Sequence, residues 1–252
     1  MKALRLSPDQ IHEGSLILVN RDYGCMEPSP SHPFTRVAPV LLKRRAAVLF
    51  TGLMDAVGGW GKIVPVSGYR TLAEQTNIWN HSLSEHGKAF TSAYVAFPGH
   101  SEHQTGLAVD LGVKKEHIDF LCPDFPDSGI CRAFRRRAPE YGFIERYPSG
   151  REKVTGIGHE PWHFRYVGTP HGEIMEKEGL TLEEYILFLR GFPRGKRSYL
   201  FAAGGRQIAV SWLEARPDEA TLLTVDDRLP YSVSGDNVNG FIITEWRDTY
   251  VS

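Results

Sequence analysis

Two short motifs constrain the fold of this chain most, because the chemistry that they indicate requires them to meet in space. Residues 101–110 read SEHQTGLAVD, which has the pattern S-x-H-x-x-G-x-A-x-D, and residues 160–163 read EPWH, which has the pattern E-x-x-H. A catalytic zinc site takes three protein ligands from His, Asp and Glu and leaves a fourth position open. His103, Asp110 and His163 form such a set. The sequence therefore predicts a fold that brings both motifs to one zinc ion per chain.

The second motif also supplies a spare carboxylate. Hydrolysis of an amide needs a base that takes a proton from the attacking water and returns it to the leaving amine. Glu160 stands just before Pro161, and a residue that precedes proline disfavours helical backbone. The motif is therefore typical of a loop that enters a strand, not of a helical metallopeptidase motif. We predict metal-assisted hydrolysis with Glu160 as the base.

The neighbours of two candidate ligands favour the same interpretation. Asp110 is flanked by Val109 and Leu111, and His163 stands between two aromatic residues. A carboxylate in a buried strand is costly unless it is paired or bound to a metal. An isolated histidine is more often a hydrogen-bonded structural residue, so it is the combination of residues that indicates a site.

Composition limits the possible partners and compartments. The formal net charge of -1 gives no electrostatic reason to expect nucleic acid. No stretch of the sequence approaches the roughly 18 apolar residues of a membrane span. Cys25, Cys122 and Cys131 form neither an even disulfide set nor a C-x-x-C pair, which favours reduced thiols. Residues 1–14 lack the apolar core of a signal peptide, so we expect a cytoplasmic protein.

Hydrophobic periodicity predicts the elements that carry the motifs. The predicted strands cover residues 15–19, 62–66, 107–113, 143–147 and 162–167. The predicted helices run from Pro39 to residue 57, from a Thr71 cap to about residue 85, from Asp127 or Ser128 to near Gly142, and from a Thr181 cap to about residue 190. Residues 27–34 are predicted as a proline-rich loop, and residues 89–99 as a loop or a loose hairpin.

The residue pattern of the sequence changes after Gly191. Short β-type runs at residues 198–202, 207–212, 221–225 and 240–244 are divided by glycine, proline and aspartate. This pattern predicts a small β-rich extension over residues 191–252. Its role is open between an interaction or dimerisation module and a stabilising cover.

The motifs resemble those of the VanY and VanX group of zinc D,D-peptidases, which shares its fold with the hedgehog signalling domain. The resemblance covers residues 15–190 and is carried by the blocks SGYR (67–70) with Gln75, PGHSEHQTGLAVD (98–110), ERYP (145–148) and EPWHFRYVG (160–168). It implies an α+β fold, in which helices flank an antiparallel sheet, and it makes residues 1–190 the catalytic domain. Residues 121–128 are most similar to the VanXY branch of the group.

The resemblance also implies roles for individual residues. It implies zinc ligands at His103, Asp110 and His163, a base at Glu160 and an oxyanion-stabilising arginine at Arg70. It further implies that the substrate is held by Gln75 and Ser101, in a pocket shaped by Ser67, Tyr69 and Trp162, although Tyr69 and Trp162 also suit a plain core. Residue 67 could tune the choice between D-Ala and D-Ser.

Members of the VanXY branch are cytoplasmic enzymes that combine D,D-dipeptidase and D,D-carboxypeptidase activity in vancomycin resistance. The resemblance therefore implies D-Ala-D-Ala and muramyl pentapeptide precursors as substrates, with the oligomeric state left open. Two alternatives within this fold are an endopeptidase for another peptidoglycan bond and a zinc-containing binding module without catalysis. Two features argue against the endopeptidase: the chain lacks a wall-binding repeat, and it contains the EPWH motif. The presence of both Glu160 and Arg70 argues against the binding module. A serine hydrolase is disfavoured because the chain has no G-x-S-x-G elbow.

Overall fold

The computed structural model describes residues 1–26 and 34–248. It divides into two compact units, one formed by Val19–Thr181 and the other by Met1–Leu18 together with Leu182–Ser252. The first residues of the chain are thus grouped with its C-terminal region. The functional division at residue 190 remains a prediction. Of the predicted proline-rich loop, residues 27–33 lie outside the described part of the chain.

The elements are numbered along the chain. The strands are β1 (Lys2–Leu6), β2 (Phe34–Val37), β3 (Val40–Lys43), β4 (Ile63–Ser67), β5 (Ala108–Val113), β6 (Phe143–Tyr147), β7 (Glu160–Tyr166), β8 (Tyr199–Ala203), β9 (Arg206–Glu214), β10 (Thr221–Val225), β11 (Tyr231–Gly235) and β12 (Gly240–Asp248). The helices are α1 (Arg44–Val57), α2 (Leu72–Tyr94), α3 (Gly129–Arg137), α4 (Glu152–Thr155), α5 (His171–Glu178) and α6 (Leu182–Arg190). This mixture of helices and antiparallel sheets confirms the predicted α+β class.

An antiparallel four-stranded sheet in the order β4-β5-β7-β6 organises the unit Val19–Thr181. All four strands were predicted within one or two residues. Their register pairs Ser67 with Asp110 and Asp110 with His163. Residues that face each other across antiparallel strands project from the same face of the sheet. The register therefore gathers polar side chains from three adjacent strands at one place.

Helix α1 begins later than predicted. Residues 34–43 form the β2–β3 hairpin, with Ala38 in a left-handed conformation at its turn, and the helix starts at Arg44. The helix buries Ala46, Phe50 and Leu53, which recur at the spacing of one helical face. The apolar run before it fits a strand as well as a helix, which explains the wrong prediction of its start.

Helix α2 starts as predicted and ends later. Thr71 accepts a hydrogen bond from the Glu74 amide, and the Glu74 carboxylate accepts one from the Thr71 amide, so the predicted capping box is confirmed. Gly87 interrupts the helix with a φ of 76°, but helical structure resumes and reaches Tyr94. The loop or loose hairpin predicted over residues 89–99 is therefore wrong for its first half.

An aromatic cluster forms the core beside the sheet. Phe134 from the predicted third helix contacts Phe50, with 6.1 Å between ring centroids, and Phe164, at 5.0 Å. Phe143 contacts Phe50 at 6.0 Å. Because successive side chains of a strand alternate between faces, Phe164 packs in this cluster while its neighbour His163 points away from it. Helices α4 and α5 were not predicted.

The unit that contains both chain ends is built on a second antiparallel sheet, in the order β11-β12-β9-β8, and on the pair β1–β10. The four predicted β-type runs are confirmed as β8, β9, β10 and β12, whereas β1 and β11 were not predicted. The buried side chains of Leu6, Leu223, Val225, Phe241 and Ile243 form its core. Residues 15–19 form no strand, so that prediction is wrong, although Leu16, Ile17 and Leu18 are buried. Across residues 1–26 and 34–248, no helix combines the length and apolar character needed to cross a membrane.

Candidate active site

Three side chains that were predicted as metal ligands meet at one end of the β4-β5-β7-β6 sheet. Asp110 lies on β5 beside His163 on β7, and His103 lies in a 3₁₀ turn (Glu102–Thr105) just before β5. One ligand atom from each of the three residues lies within 4.8 Å of the others, and all three side chains are buried. Within the described ranges, these three residues form a group that could hold a metal ion.

The turn that carries His103 depends on the glycine of the first motif. Gly106 ends the turn with a φ of 69°, and a Cβ added there would lie 2.5 Å from Cε1 of Phe34. Any other residue would therefore be both strained and crowded. The turn directs His103 Nδ1 at the carbonyl oxygen of Gly68, 2.7 Å away. Because a carbonyl only accepts hydrogen bonds, Nδ1 carries the proton and Nε2 is left for the cluster.

The carboxylate of Asp110 connects the two imidazoles. Its Oδ2 lies 3.1 Å from His103 Nε2, and its Oδ1 lies 2.9 Å from His163 Nδ1. The potential metal-ligand atoms that face one another are thus two imidazole nitrogens and the carboxylate oxygens, without a sulfur atom. This donor set suits Zn²⁺, which binds His and Asp readily, so the residues present fit the implied metal.

Burial and charge set the protonation of the carboxylates. Burial alone would raise the pKa of Asp110, but His103 and His163 outweigh it and hold that pKa well below its usual range. Burial raises the pKa of Glu160 to about 8, and the charge of Asp110 adds to this shift. Glu160 Oε2 lies 3.8 Å from His163 Nδ1, so this carboxyl borders the cluster. Two neighbouring acids with opposite shifts are typical of a catalytic site.

Arg70 adds a cation to the same end of the sheet. Its Nη2 donates to Asp110 Oδ2 at 2.9 Å, its Nε donates to Ser67 Oγ at 2.8 Å, and its Nη1 donates to Gln75 Oε1 at 3.4 Å. The side chain of Arg70 is only 12% exposed. These three hydrogen bonds together fix the direction of the planar guanidinium.

A small cavity of about 40 Å³ opens beside the cluster. It is lined by eight of the ten predicted site residues: Arg70, Gln75, Ser101, His103, Asp110, Glu160, Trp162 and His163. The other two, Ser67 and Tyr69, line an adjoining groove of about 460 Å³ that also contains Arg70. Tyr69 stacks on Phe34, with 4.1 Å between the ring centroids.

Sequence reasoning missed two residues of the site. Tyr147 lines the cavity, and its ring lies 4.9 Å from the ring of His163. Glu102 lies behind His163, with Oε2 at 3.5 Å from Nε2. A signal was present for Glu102, because a charged residue inside an otherwise buried motif needs a partner. Tyr147 lies in the ERYP block, but its residue type gave no chemical signal, since an aromatic residue in a strand also suits a core.

A buried His, Asp, His cluster with an adjacent carboxyl and guanidinium, held at the end of an antiparallel sheet, is the arrangement of a metal-dependent hydrolase. Comparison with known proteins narrows this class. Residues 40–169 match the VanY family, described as D-alanyl-D-alanine carboxypeptidase, and the chain belongs to this family.

Individual relatives agree with that assignment. The chain is 43% identical over 181 residues to the bifunctional D-Ala-D-Ala dipeptidase and carboxypeptidase VanXYC of Enterococcus gallinarum, covering 69% of this chain and 95% of that protein. It resembles the crystal structure of the vancomycin resistance D,D-dipeptidase VanXYg in complex with a D-Ala-D-Ala phosphinate analogue, with a TM-score of 0.93 and 44% identity over 98% of this chain and 99% of that one. The structure of a VanY D,D-pentapeptidase mutant in complex with Zn(II) matches with a TM-score of 0.58 and 33% identity over 69% of this chain and 99% of that one. The predicted family and the predicted class of peptidase are therefore confirmed.

Proposed function

We propose that this protein is a zinc-dependent D,D-peptidase that hydrolyses the D-Ala-D-Ala dipeptide, the terminal D-Ala of peptidoglycan pentapeptide precursors, or both. Such an activity removes the target of glycopeptide antibiotics and contributes to vancomycin resistance. The observation that carries the proposal is the buried cluster of His103, Asp110 and His163, with Glu160 3.8 Å from His163. The similarity to VanXYC and VanXYg supports the choice of substrate.

The proposed ligands are His103 through Nε2, Asp110, and His163 through Nδ1, with one zinc ion per chain. When bound, zinc supplies a Lewis acid that polarises the scissile carbonyl and makes water more acidic. The Glu160 carboxylate lies 3.8 Å from His163 Nδ1, whereas the Asp110 carboxylate lies 2.9 Å from the same atom. We assign Glu160 as the base that accepts the proton of the attacking water and then donates it to the leaving amine.

The pKa of Glu160 suits both halves of that task. Burial raises it to about 8, whereas a dication at the neighbouring cluster favours the ionised form. A carboxyl whose pKa lies near the working pH can both accept and return a proton efficiently. Arg70 then has a separate role. Its guanidinium, fixed by Ser67 and Gln75, stabilises the negative charge that develops on the carbonyl oxygen.

The remaining site residues are proposed to bind the substrate. Ser101 is 2% exposed and lines the cavity, and Gln75 donates to the carbonyl oxygen of Ala96 at 2.8 Å, which fixes its amide. A cavity this small suits a methyl side chain, as alanine has. Trp162 forms another part of the cavity wall. Ser67 and Tyr69 in the adjoining groove contact the part of the substrate that lies beyond Arg70.

A cytoplasmic site of action is part of the proposal. Cys25, Cys122 and Cys131 all lie in the described part of the chain and form no disulfide there. Reduced thiols are typical of a reducing compartment. The two proposed substrates, the free dipeptide and the muramyl pentapeptide precursor, are made in the cytoplasm.

Product analysis tests the proposed function. The zinc-loaded protein is incubated with D-Ala-D-Ala, with UDP-muramyl pentapeptide, and with L-Ala-L-Ala as the stereochemical control. We expect D-Ala from one or both of the first two substrates, no product from the third, and loss of activity on zinc removal. Cleavage of another peptidoglycan bond instead would favour the endopeptidase alternative. Tight zinc binding without turnover of any peptide would favour the binding module.

A further inference from the structure

Glu102 occupies a position that the proposed mechanism does not use. It is the residue before His103, its side chain is 0% exposed, and it lies on the far side of His163 from the cluster. We propose that Glu102 is a positioning residue that holds His163 with Nδ1 directed at the metal. The inference rests on the proposed metal site and deepens it.

The two oxygens of Glu102 are divided between different partners. Oε1 accepts hydrogen bonds from Arg146 Nε and from Arg165 Nη1, both at 2.8 Å. Oε2 faces His163 Nε2 at 3.5 Å. A carboxylate only accepts hydrogen bonds, so the proton of the neutral imidazole belongs on Nε2. The lone pair of His163 is then on Nδ1, which is the nitrogen 2.9 Å from Asp110 Oδ1.

The two arginines hold this carboxylate in place. Arg146 lies on β6 and Arg165 on β7, and both side chains are 0% exposed. Burying a guanidinium is costly unless it is paired and hydrogen-bonded, and here both guanidinium groups pair with the same oxygen. Because neighbouring strands carry the two arginines, Glu102 cannot turn without losing ion pairs to both strands. Its second oxygen is therefore fixed towards His163.

The two proposed histidine ligands are oriented by different means. His103 donates from Nδ1 to the backbone carbonyl of Gly68, whereas His163 depends on a side chain, and on an ionised one. Partners that accept the second N–H of a metal-binding histidine fix its tautomer and raise the basicity of the ligand. Only the His163 side of the site is therefore open to a test by substitution.

Glu102→Gln is the informative change because it preserves shape and removes the charge. If the amide oxygen stays with the two arginines, the amide NH₂ faces His163 Nε2. Two donors then face each other, and the imidazole is pushed towards the tautomer with the proton on Nδ1, which opposes metal binding. We expect zinc affinity to fall by about 10- to 100-fold, the range typical of losing such a partner.

Glu245→Gln is the matched control. Glu245 lies in the other compact unit, its side chain is 7% exposed, and Arg194 donates to it at 2.7 and 2.9 Å. Like Glu102→Gln, this control removes a largely buried carboxylate that is paired with arginine. Glu245 is, however, far from the cluster in sequence. Zinc affinity, measured for each full-length protein by competition with a chromophoric chelator at fixed pH, should stay within about twofold of wild type for this control.

Ring ¹⁵N NMR of the zinc-loaded wild-type protein provides a readout that does not depend on whether Glu102→Gln folds. We expect a protonated Nε2 and a metal-bound Nδ1 at His163. In a folded Glu102→Gln variant, the shift of the Nε2 proton should change as the carboxylate acceptor is lost. A metal-bound Nε2 in wild type, or a folded Glu102→Gln variant with wild-type zinc affinity, would overturn the inference. Failure of the wild-type protein to bind zinc would instead overturn the proposed function.

Discussion

Asp110 offers the sharpest test of the ligand set, because one carboxylate contacts both histidines and Arg70. Its oxygens lie 2.9 Å from His163 Nδ1, 3.1 Å from His103 Nε2 and 2.9 Å from Arg70 Nη2. We predict that Asp110→Ala loses most of its bound zinc. The loss in affinity should exceed the roughly 10- to 100-fold that follows the loss of a group that only orients a ligand.

The same substitution should destabilise the metal-free protein. Removing one partner of a buried ion pair costs about 3–5 kcal/mol, because the other charge remains buried. Arg70 is 12% exposed and keeps Ser67 and Gln75 as acceptors, so we expect the lower end, about 3 kcal/mol. For a chain of this size, that change lowers the melting temperature by about 6–12 °C.

The assay combines metal analysis after dialysis with thermal unfolding in the presence of a chelator. Asp236→Asn is the control, since Asp236 is a buried aspartate outside the cluster that accepts hydrogen bonds from the backbone of residues 238–240. Whatever its effect on stability, the control should keep wild-type zinc content. Full zinc occupancy in Asp110→Ala would remove Asp110 from the ligand set. An unchanged melting temperature in chelator would refute the estimate for the ion pair.

Three further predictions concern the reaction, the substrate and the pH dependence of folding. Arg70→Lys keeps the charge but loses the planar guanidinium, so kcat should fall by about 10²- to 10³-fold with zinc content unchanged. A smaller loss of kcat in steady-state kinetics would contradict an oxyanion role for Arg70. The loop over residues 120–128 places Leu121 at the cavity and Phe120 at the groove. Shortening this loop should therefore change the ratio of carboxypeptidase to dipeptidase turnover. An unchanged ratio would mean that the loop does not influence substrate choice. Burial lowers the pKa of His171 from 6.5 to about 3. Between these two values the unfolded chain binds a proton at His171 that the folded protein does not bind. The free energy of unfolding should therefore fall by about 1.4 kcal/mol for each pH unit below about 6 because of His171. Urea unfolding between pH 7 and pH 4 should show a shallower pH dependence for His171→Gln, and parallel curves would exclude this contribution.

Local signals predicted the parts of the fold that hold the site. The four strands of the β4-β5-β7-β6 sheet are short, bounded by turn residues and rich in β-branched and aromatic side chains, so periodicity placed them well. The capping box at Thr71 fixed the start of α2, since both of its hydrogen bonds join residues three apart. These features depend on neighbours along the chain, which is why the sequence alone reveals them.

The errors arose where distant contacts decide the structure. Strand β1 pairs with β10, and no local pattern in Lys2–Leu6 indicates a partner so far along the chain. Residues 40–43 are apolar enough for a helix or a strand, and pairing with β2 decides for the strand. The helix that begins after Thr71 is predicted to end near residue 85, but Gly87 only interrupts it. At the site, the role of Glu102 depends on arginines from the strands β6 and β7, which a motif cannot show.

In the proposed mechanism, Glu160 performs the proton transfers at a metal that other residues hold, and the Glu160→Ala variant separates these two roles. Zinc content and turnover of D-Ala-D-Ala and of the pentapeptide precursor are measured together for Glu160→Ala. We predict zinc content close to wild type and a fall in both rates of about 10²- to 10⁴-fold, because the same carboxyl serves the attacking water and the leaving amine. Normal zinc content with near-normal turnover would mean that another group activates the water and would contradict the mechanism.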